Sequence, residues 1–368
     1  MSSGAPQIPF HIPDEPDIDG FVADVRTILK TGRLSLGPFT ARLETELAAW
    51  VGPGEIVAVS NCSDGLIAAL SAISEPGAEV IIPGYTYLAT WQAVLWSGMT
   101  PVVADVDDRG LLDPAAAAAA VGPRTRAILG VDLGGQPADL VGLRAVADAH
   151  GLALLFDSAH ALGAAWADRP VGAGGDLEVF SIGPTKQLGS SEGGFVVVND
   201  GSLADRVRRF STQGHALGEL DATGPGMNLR MTEFSAALAL RALPDLERRL
   251  AARAAIDARY RDSWRDLPMR IPVTPSGERS AFKDELVFLD DPADRAPLRA
   301  HLEAAGVATR TYYDPAIPDL TVFQGRVASA DRSRALAACG FALPIHGRLA
   351  ASDVDRIIAA MRDYPRWS

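Results

Sequence analysis

The chain has 368 residues, 48% of them hydrophobic and 22% charged, which suits a folded protein with one large core and a second smaller one and excludes a disordered chain. A net charge of -12 and a pI of about 5.0 argue against general binding to nucleic acid or anionic membranes, both of which require a basic surface. Cys62 and Cys339 fit neither a disulfide framework nor a metal spacing, the N-terminus is acidic where a secretory signal would be basic, and no stretch approaches a membrane span, so the expected location is the cytoplasm.

Residues 1–19 read as an extended arm, and the stretch 19–51 as two helices broken at TGRLSLGP by its glycines and proline. Apolar runs at 56–59, 80–82, 101–106, 127–131 and 153–156 then alternate with helix-like segments at 63–74, 90–97, 114–121 and 140–150. Such alternation predicts an α/β fold, a mostly parallel central sheet sandwiched by helices. The alanine tract 115–120 reads as a short surface helix begun by Pro114. Two closely spaced strands follow at 177–181 and 194–198, then a helix near 202–213. One long helical stretch, 232–264, leads into a smaller α+β C-terminal domain with strands in DELVFLDD and FALPIHGRL and helices at 291–305 and 351–364. The expected organisation is an arm over 1–20, a large domain over 21–248 and a small domain over 249–368.

In an open parallel sheet, ligands bind beyond the carboxyl ends of the strands. Three candidates fall there. In SNCSDGLIAAL a strand ends at Ser60, Ser63 or Asn61 can cap the helix that follows, and the free N–H groups at that helix start make a site for an anion or simply a capped helix. Asp157 closes an apolar strand, with His160 three residues on; the pair reads as a helix cap, as metal ligands lacking a third partner, or as a functional carboxylate. Lys186, in FSIGPTKQLGSSEGG after the strand end at Ser181, is either a surface lysine or an amine whose neighbours lower its pKa for imine chemistry. Together, an anion-binding helix start, a carboxylate and a lysine meet the needs of pyridoxal phosphate, in which the carboxylate keeps the ring nitrogen protonated and the lysine holds the aldehyde. PGYTYLATWQAV adds Tyr85 and Tyr87 as candidates to cover the ring. No G-x-G-x-x-G follows a strand, which lowers a nicotinamide-dependent oxidoreductase sharply.

From GPFTARLETELAAWVG to LPIHGRLAASDV, through EVIIPGYTYLAT, PVVADVDDRGLLDP, FDSAHALGA, FSIGPTKQLGSSEGG and GMNLRMTEFSAA, the sequence resembles the DegT/DnrJ/EryC1/StrS family of sugar aminotransferases, of fold type I. The resemblance implies that Lys186 forms the imine with pyridoxal 5'-phosphate, that Asp157 partners the ring nitrogen and that His160 lies near the phenolic oxygen. It further implies that Tyr87 stacks on the ring, that Ser63, Asp64 and Ser181 hold the phosphate, and that Asn228 reaches the phosphate of the neighbouring subunit in a homodimer. The implied partners are an amino-acid donor, glutamate or glutamine, and a keto acceptor such as a nucleotide-linked keto-sugar or a keto-cyclitol. The runner-up activities are a dehydratase, in which family members carry histidine in place of Lys186, and a non-catalytic cofactor-binding regulator. Five positions at four places depart from the family pattern: Cys62-Ser63 for Gly-Thr, Asp132 and Tyr312 for frequent histidines, and Gly183 for an aromatic or histidine. Arg33, Arg230 and Arg310 are candidate anion holders for the substrate.

Overall fold

The computed structural model describes residues 7–367; the part of the expected arm at 1–6 lies outside the described residues. Seven strands, β1 Glu55–Val59, β2 Glu79–Pro83, β3 Thr100–Ala104, β4 Thr125–Val131, β5 Ala153–Asp157, β6 Leu177–Ser181 and β7 Gly194–Val198, pair in the order β1-β7-β6-β5-β4-β2-β3. Arg326–Val327 adds an eighth beside β3. Only β7 runs against the others, because the short hairpin from β6 reverses the chain.

Both faces of this sheet are covered, which is why strands such as EVIIP are apolar without alternation. The twofold period is still visible in what each residue meets. Ile56, Ala58 and Ile81 pack with α2 Pro38–Val51, α6 Leu140–His150 and α8 Glu233–Ala242. Val57, Val59, Val80 and Ile82 face α3 Cys62–Ile73, α4 Leu88–Trp96 and α7 Ala204–Ser211 on the other side. The two remaining large-domain helices are α1 Ile18–Thr31, capped by Asp17, and the expected alanine helix α5 Pro114–Ala120. Buried Glu233 ties α8 to the start of α2 by accepting from the amides of Gly37, Phe39 and Thr40, each at 2.9 Å. Each such donor left buried without a partner costs about 1–3 kcal/mol.

The helix expected over 232–264 is two helices. Pro244 lacks the N–H that a helix interior requires, so α8 ends at Ala242, a turn follows at Leu243–Asp245, and α9 Leu246–Trp264 begins anew. The boundary placed at 248/249 falls inside α9, whose Leu246 and Leu250 join the large core while Ile256, Tyr260 and Trp264 join the small one. The small domain is built on β8 Glu285–Leu289 between Met269–Arg270 and β9 Gly340–Leu343, with α10 Arg295–Ala304, α11 Asp331–Cys339 and α12 Ala351–Arg362 around them. Proline also shortens two expected elements: Pro344 ends β9, and Pro292 makes the entry to α10 a 3-10 turn. The described part of the arm is tied to the small domain, Ile8 exchanging bonds of 2.7 and 3.0 Å with Gly306 and Ala308. No helix among the described residues is long and apolar enough to cross a membrane.

Candidate active site

The carboxyl ends of β1, β2, β4, β5 and β6 open into one cavity of about 560 Å³, which Ser63, Asp64, Tyr87, Asp157, His160, Ser181 and Lys186 all line. Sheet register explains the convergence: Val131 pairs with Asp157, Asp157 with Val179, and Ser181 with Gly194, so side chains distant in sequence end at one level.

At the start of α3 the cap is Asn61, whose carbonyl oxygen accepts from the Asp64 amide at 2.9 Å. The Asp64 carboxylate is itself held by Ser60 and Asn61. Asp64 therefore has no amide to spare, whereas the amides of Cys62 and Ser63 have no partner among the described residues. They form the anion-binding end of this helix, where a held charge gains about 0.3–2 kcal/mol. Gly194 makes the close approach possible, since a Cβ there would lie 2.7 Å from the Cys62 nitrogen.

Asp157 is 6% exposed and its Oδ2 accepts from the Thr90 hydroxyl at 2.8 Å. Burial raises its pKa, while the bonds from Thr90 and the Ala159 amide and the charge of Lys186 oppose the rise. A carboxylate so placed gains from any cation brought against it. Beside it, Asp132 accepts from Ser158 at 2.6 Å and from the Ala138 amide at 2.8 Å. Burial is the main reason that the Asp132 carboxyl is pushed up to about 8; the Ser158 and Ala138 bonds oppose this and the charges of Glu178 and Asp157 add to it. The folded chain thus holds the Asp132 proton more tightly than the unfolded chain, and stability falls as pH rises from about 4 to about 8. Asp132→Asn retains a partner for both neighbours, so its melting temperature is expected to exceed the parent's by a margin that widens to about pH 8 and then levels; an offset independent of pH would contradict the assignment.

Lys186 sits in a turn closed by its amide on the Gly183 carbonyl at 3.0 Å, and its amine faces the cavity. Burial lowers its proton affinity, with Cys62, Asp284, Asp157 and Glu192 pulling the other way. Only three lysines occur in the chain: Lys30 is exposed on α1, and Lys283 is 3% exposed and bound to Asp284 at 2.9 Å. Lys186 is the one whose amine lines the cavity. His160 accepts from the Gly134 amide at Nδ1, 3.3 Å, and burial keeps the ring well below the ordinary histidine range and hence neutral, the charge of Lys186 adding to the effect.

The other expected residues fall as follows. Asn228 is exposed, bonded to Arg230 at 2.7 Å, and does not line the cavity of its own chain. Of the tyrosines after β2, Tyr87 borders the cavity and Tyr85 is buried in the small-domain core. Tyr312 stacks at 4.8 Å behind Tyr313, and Tyr313 is the one that reaches the cavity. At Gly183 a Cβ would meet Ser181 and Glu192 at 3.5 and 3.7 Å, ordinary contacts, so glycine leaves room there without being required. None of Arg33, Arg230 and Arg310 lines the cavity. Sequence reasoning missed Thr90, Glu192, Tyr313 and Asp284. Thr90, one turn along α4 from Tyr87, had a usable signal in that spacing, whereas Asp284 and Tyr313 come from the small domain and had none.

Taken together, the fold and the cavity define a class: an α/β protein that brings a lysine, a buried carboxylate and a helix start with free amides to one cavity. The sequence profile of the DegT/DnrJ/EryC1/StrS aminotransferase family matches residues 17–362, and the chain belongs to that family. A relative from Streptomyces venezuelae, dTDP-3-amino-3,4,6-trideoxy-alpha-D-glucose transaminase, is 36% identical over 349 residues, covering 93% of this chain and 91% of the relative. The crystal structure of S. venezuelae DesV in complex with a ketimine intermediate superposes with a TM-score of 0.90 at 33% identity, over 98% of this chain and 99% of that one. DesI, solved in the presence of its TDP-sugar product, gives a TM-score of 0.89 at 34% identity, over 98% and 94%.

Proposed function

We propose that this aminotransferase uses pyridoxal 5'-phosphate to move an amino group from glutamate or glutamine to a keto-sugar carried on a nucleotide. The observation that carries the reading is the presence of Asp157, Lys186 and the free amides of Cys62 and Ser63 around one cavity, each from a different strand end. Those residues fit the cofactor's three handles: ring nitrogen, aldehyde and phosphate. When bound, pyridoxal phosphate supplies the electron sink for a carbanion at the substrate carbon.

The protein supplies position and proton transfer. Asp157, fixed by Thr90, would keep a proton on the ring nitrogen, and Lys186 would hold the aldehyde. With the donor's amine in its place, Lys186 would take the proton from the substrate carbon and return it to the cofactor's aldehyde carbon on the other side of the nitrogen, which its lowered proton affinity favours. Neutral His160 would serve the phenolic oxygen, Tyr87 would cover the ring, and Ser63 and Ser181 would join Cys62 in holding the phosphate. Asn228, exposed and outside its own cavity, completes the phosphate site of a second copy in a homodimer.

The nucleotide-linked acceptor is supported by what DesI and the S. venezuelae transaminase are named for. Its diphosphate requires cations, and Lys186 is the only lysine or arginine among the cavity residues, so the exposed Arg33, Arg230 and Arg310, brought by this copy or a second one, are the candidates to hold it. The test presents the pyridoxamine-loaded protein with matched keto-sugars with and without the nucleotide, and with keto-cyclitols. Amino transfer to the nucleotide-linked sugar at least about tenfold faster is expected, and a preference for the free sugar or cyclitol would overturn this choice of acceptor.

A further inference from the structure

We propose that Asp284 is a positioning residue of this site: from the small domain it sets the charge state of Lys186 through the Oδ2 oxygen that its partner Lys283 leaves uncovered. The proposal rests on the transaminase reading, which is what requires the Lys186 amine to change its proton during turnover.

The pair stands at the entry to β8, with side chains 3% and 2% exposed and Lys283 Nζ 2.9 Å from Asp284 Oδ1. Asp284 Oδ2 is buried, has no hydrogen-bond partner among the described residues, and lies 3.7 Å from His160 Nδ1. That nitrogen already accepts from Gly134, so the neutral ring presents a lone pair and leaves the carboxylate uncompensated. The backbone fixes the carboxylate in place. The amides of Lys283 and Asp284 reach the Gly134 carbonyl at 2.9 and 3.4 Å, and a Cβ on Gly135 would lie 2.8 Å from the Phe282 nitrogen and 2.9 Å from that of Lys283.

The groups that face the amine narrow the assignment. Besides burial, Lys186 is influenced by Cys62, Asp284, Asp157 and Glu192 and interacts with His160 and the Lys283 cation. Asp284 is brought to the cavity edge by its 3.7 Å approach to His160, which lines the same cavity as Lys186. Burial keeps Cys62 a neutral thiol and His160 a neutral ring, Glu192 is exposed, and Asp157 has the ring nitrogen to serve. Asp284 is the buried carboxylate left to the amine. Around Asp284 stand Lys283, His160, Tyr312, Tyr313, Arg253 and His11; burial keeps both tyrosines and His11 neutral. Burial alone would raise the Asp284 carboxyl, yet the charge and hydrogen bond of Lys283, with the charge of Lys186, hold it down to about 2, so it is ionised throughout the working range. A base that must collect and return a proton works best with its affinity near the ambient pH, and a fixed negative charge keeps a buried amine from falling below that range.

Two variants test this. Asp284→Asn keeps the oxygen that Lys283 holds, and Lys283, lowered by burial to about 8, can lose its proton and remain buried. Lys283→Met removes the cation and leaves Asp284 to face the amine undiluted. Two midpoints are read against pH: the absorbance change of the cofactor-loaded protein, and the trinitrophenylation of Lys186 in the cofactor-free protein, located by peptide mass. Asp284→Asn is expected to lower both midpoints by about one unit and Lys283→Met to raise them by less. Unmoved midpoints in folded variants would overturn the proposal, as would failure of both variants to fold, which would mark the pair as a structural clasp. If the labelling midpoints shift but no cofactor attaches to Lys186, the transaminase reading fails and the electrostatic assignment stands; cofactor uptake with unmoved midpoints overturns the assignment alone.

Discussion

Lys186→Ala is expected to lower amino transfer by at least about 10⁴-fold while leaving the melting temperature within a few degrees of the parent. The two halves of the expectation have separate causes. In the proposed function turnover is lost because the residue would be both the covalent anchor and the proton carrier, and neither Lys30 nor Lys283 is placed to replace it: the first is exposed on α1 and the second, bound to Asp284, does not line the cavity. The fold survives because the Lys186 amine has no ion pair or hydrogen bond among the described residues, and the turn beneath it is held by the backbone bond to Gly183. Steady-state assay and thermal melting check both halves. Residual transfer within about tenfold of the parent would show that another group carries the proton.

Asp157→Asn is expected to lower kcat by about 10²–10³-fold, the loss seen when one preorganised electrostatic group is removed from a reacting centre. The cofactor-free variant should meanwhile be more stable than the parent at neutral pH. Burial raises the pKa of Asp157 in the folded chain, so the parent loses stability as pH climbs above the unfolded carboxylate value, whereas asparagine has no charge to bury and still accepts from Thr90. A structural carboxylate would behave in the opposite way, with activity and stability falling together. Thermal melts of the cofactor-free proteins alongside kcat separate the two cases.

The large domain was legible in sequence because each of its strands is a short apolar run bounded by turn residues, and because the strand ends place Asp157, Ser181 and Lys186 where the sheet register must bring them together. Pattern reading failed where a single residue overrules a periodic stretch: apolar spacing continues through 232–264, but Pro244 divides the helix. It failed again where contact depends on the return of the chain from the small domain. Nothing near Lys186 or His160 announces that Asp284 will approach them, since the two segments meet through backbone bonds between the small domain and the Gly134 turn and through the Gln187 side chain on the Ala281 carbonyl, contacts that no local pattern encodes. Asp64 shows a subtler limit. Its place at a helix start was right, yet the Asn61 side chain occupies its amide, and the free donors are those of Cys62 and Ser63.

Two of the departures from the family pattern, Gly183 and Tyr312, lie off the groups proposed to hold the cofactor, whereas Cys62-Ser63 is the helix start itself and Asp132 stands beside Asp157. Gly183 opens space beside Glu192, and Tyr313, backed by Tyr312, forms a wall on the small-domain side. Neither touches the carboxylate or the helix start that would hold the ring and the phosphate.

The central claim, that one particular amine holds the cofactor, is tested most directly by reducing the pyridoxal-phosphate-loaded protein with borohydride and locating the added mass by peptide mapping. With three lysines in the chain the answer is unambiguous. The account predicts the modification on Lys186 alone; its appearance on Lys283 or Lys30, or on no lysine, would contradict it.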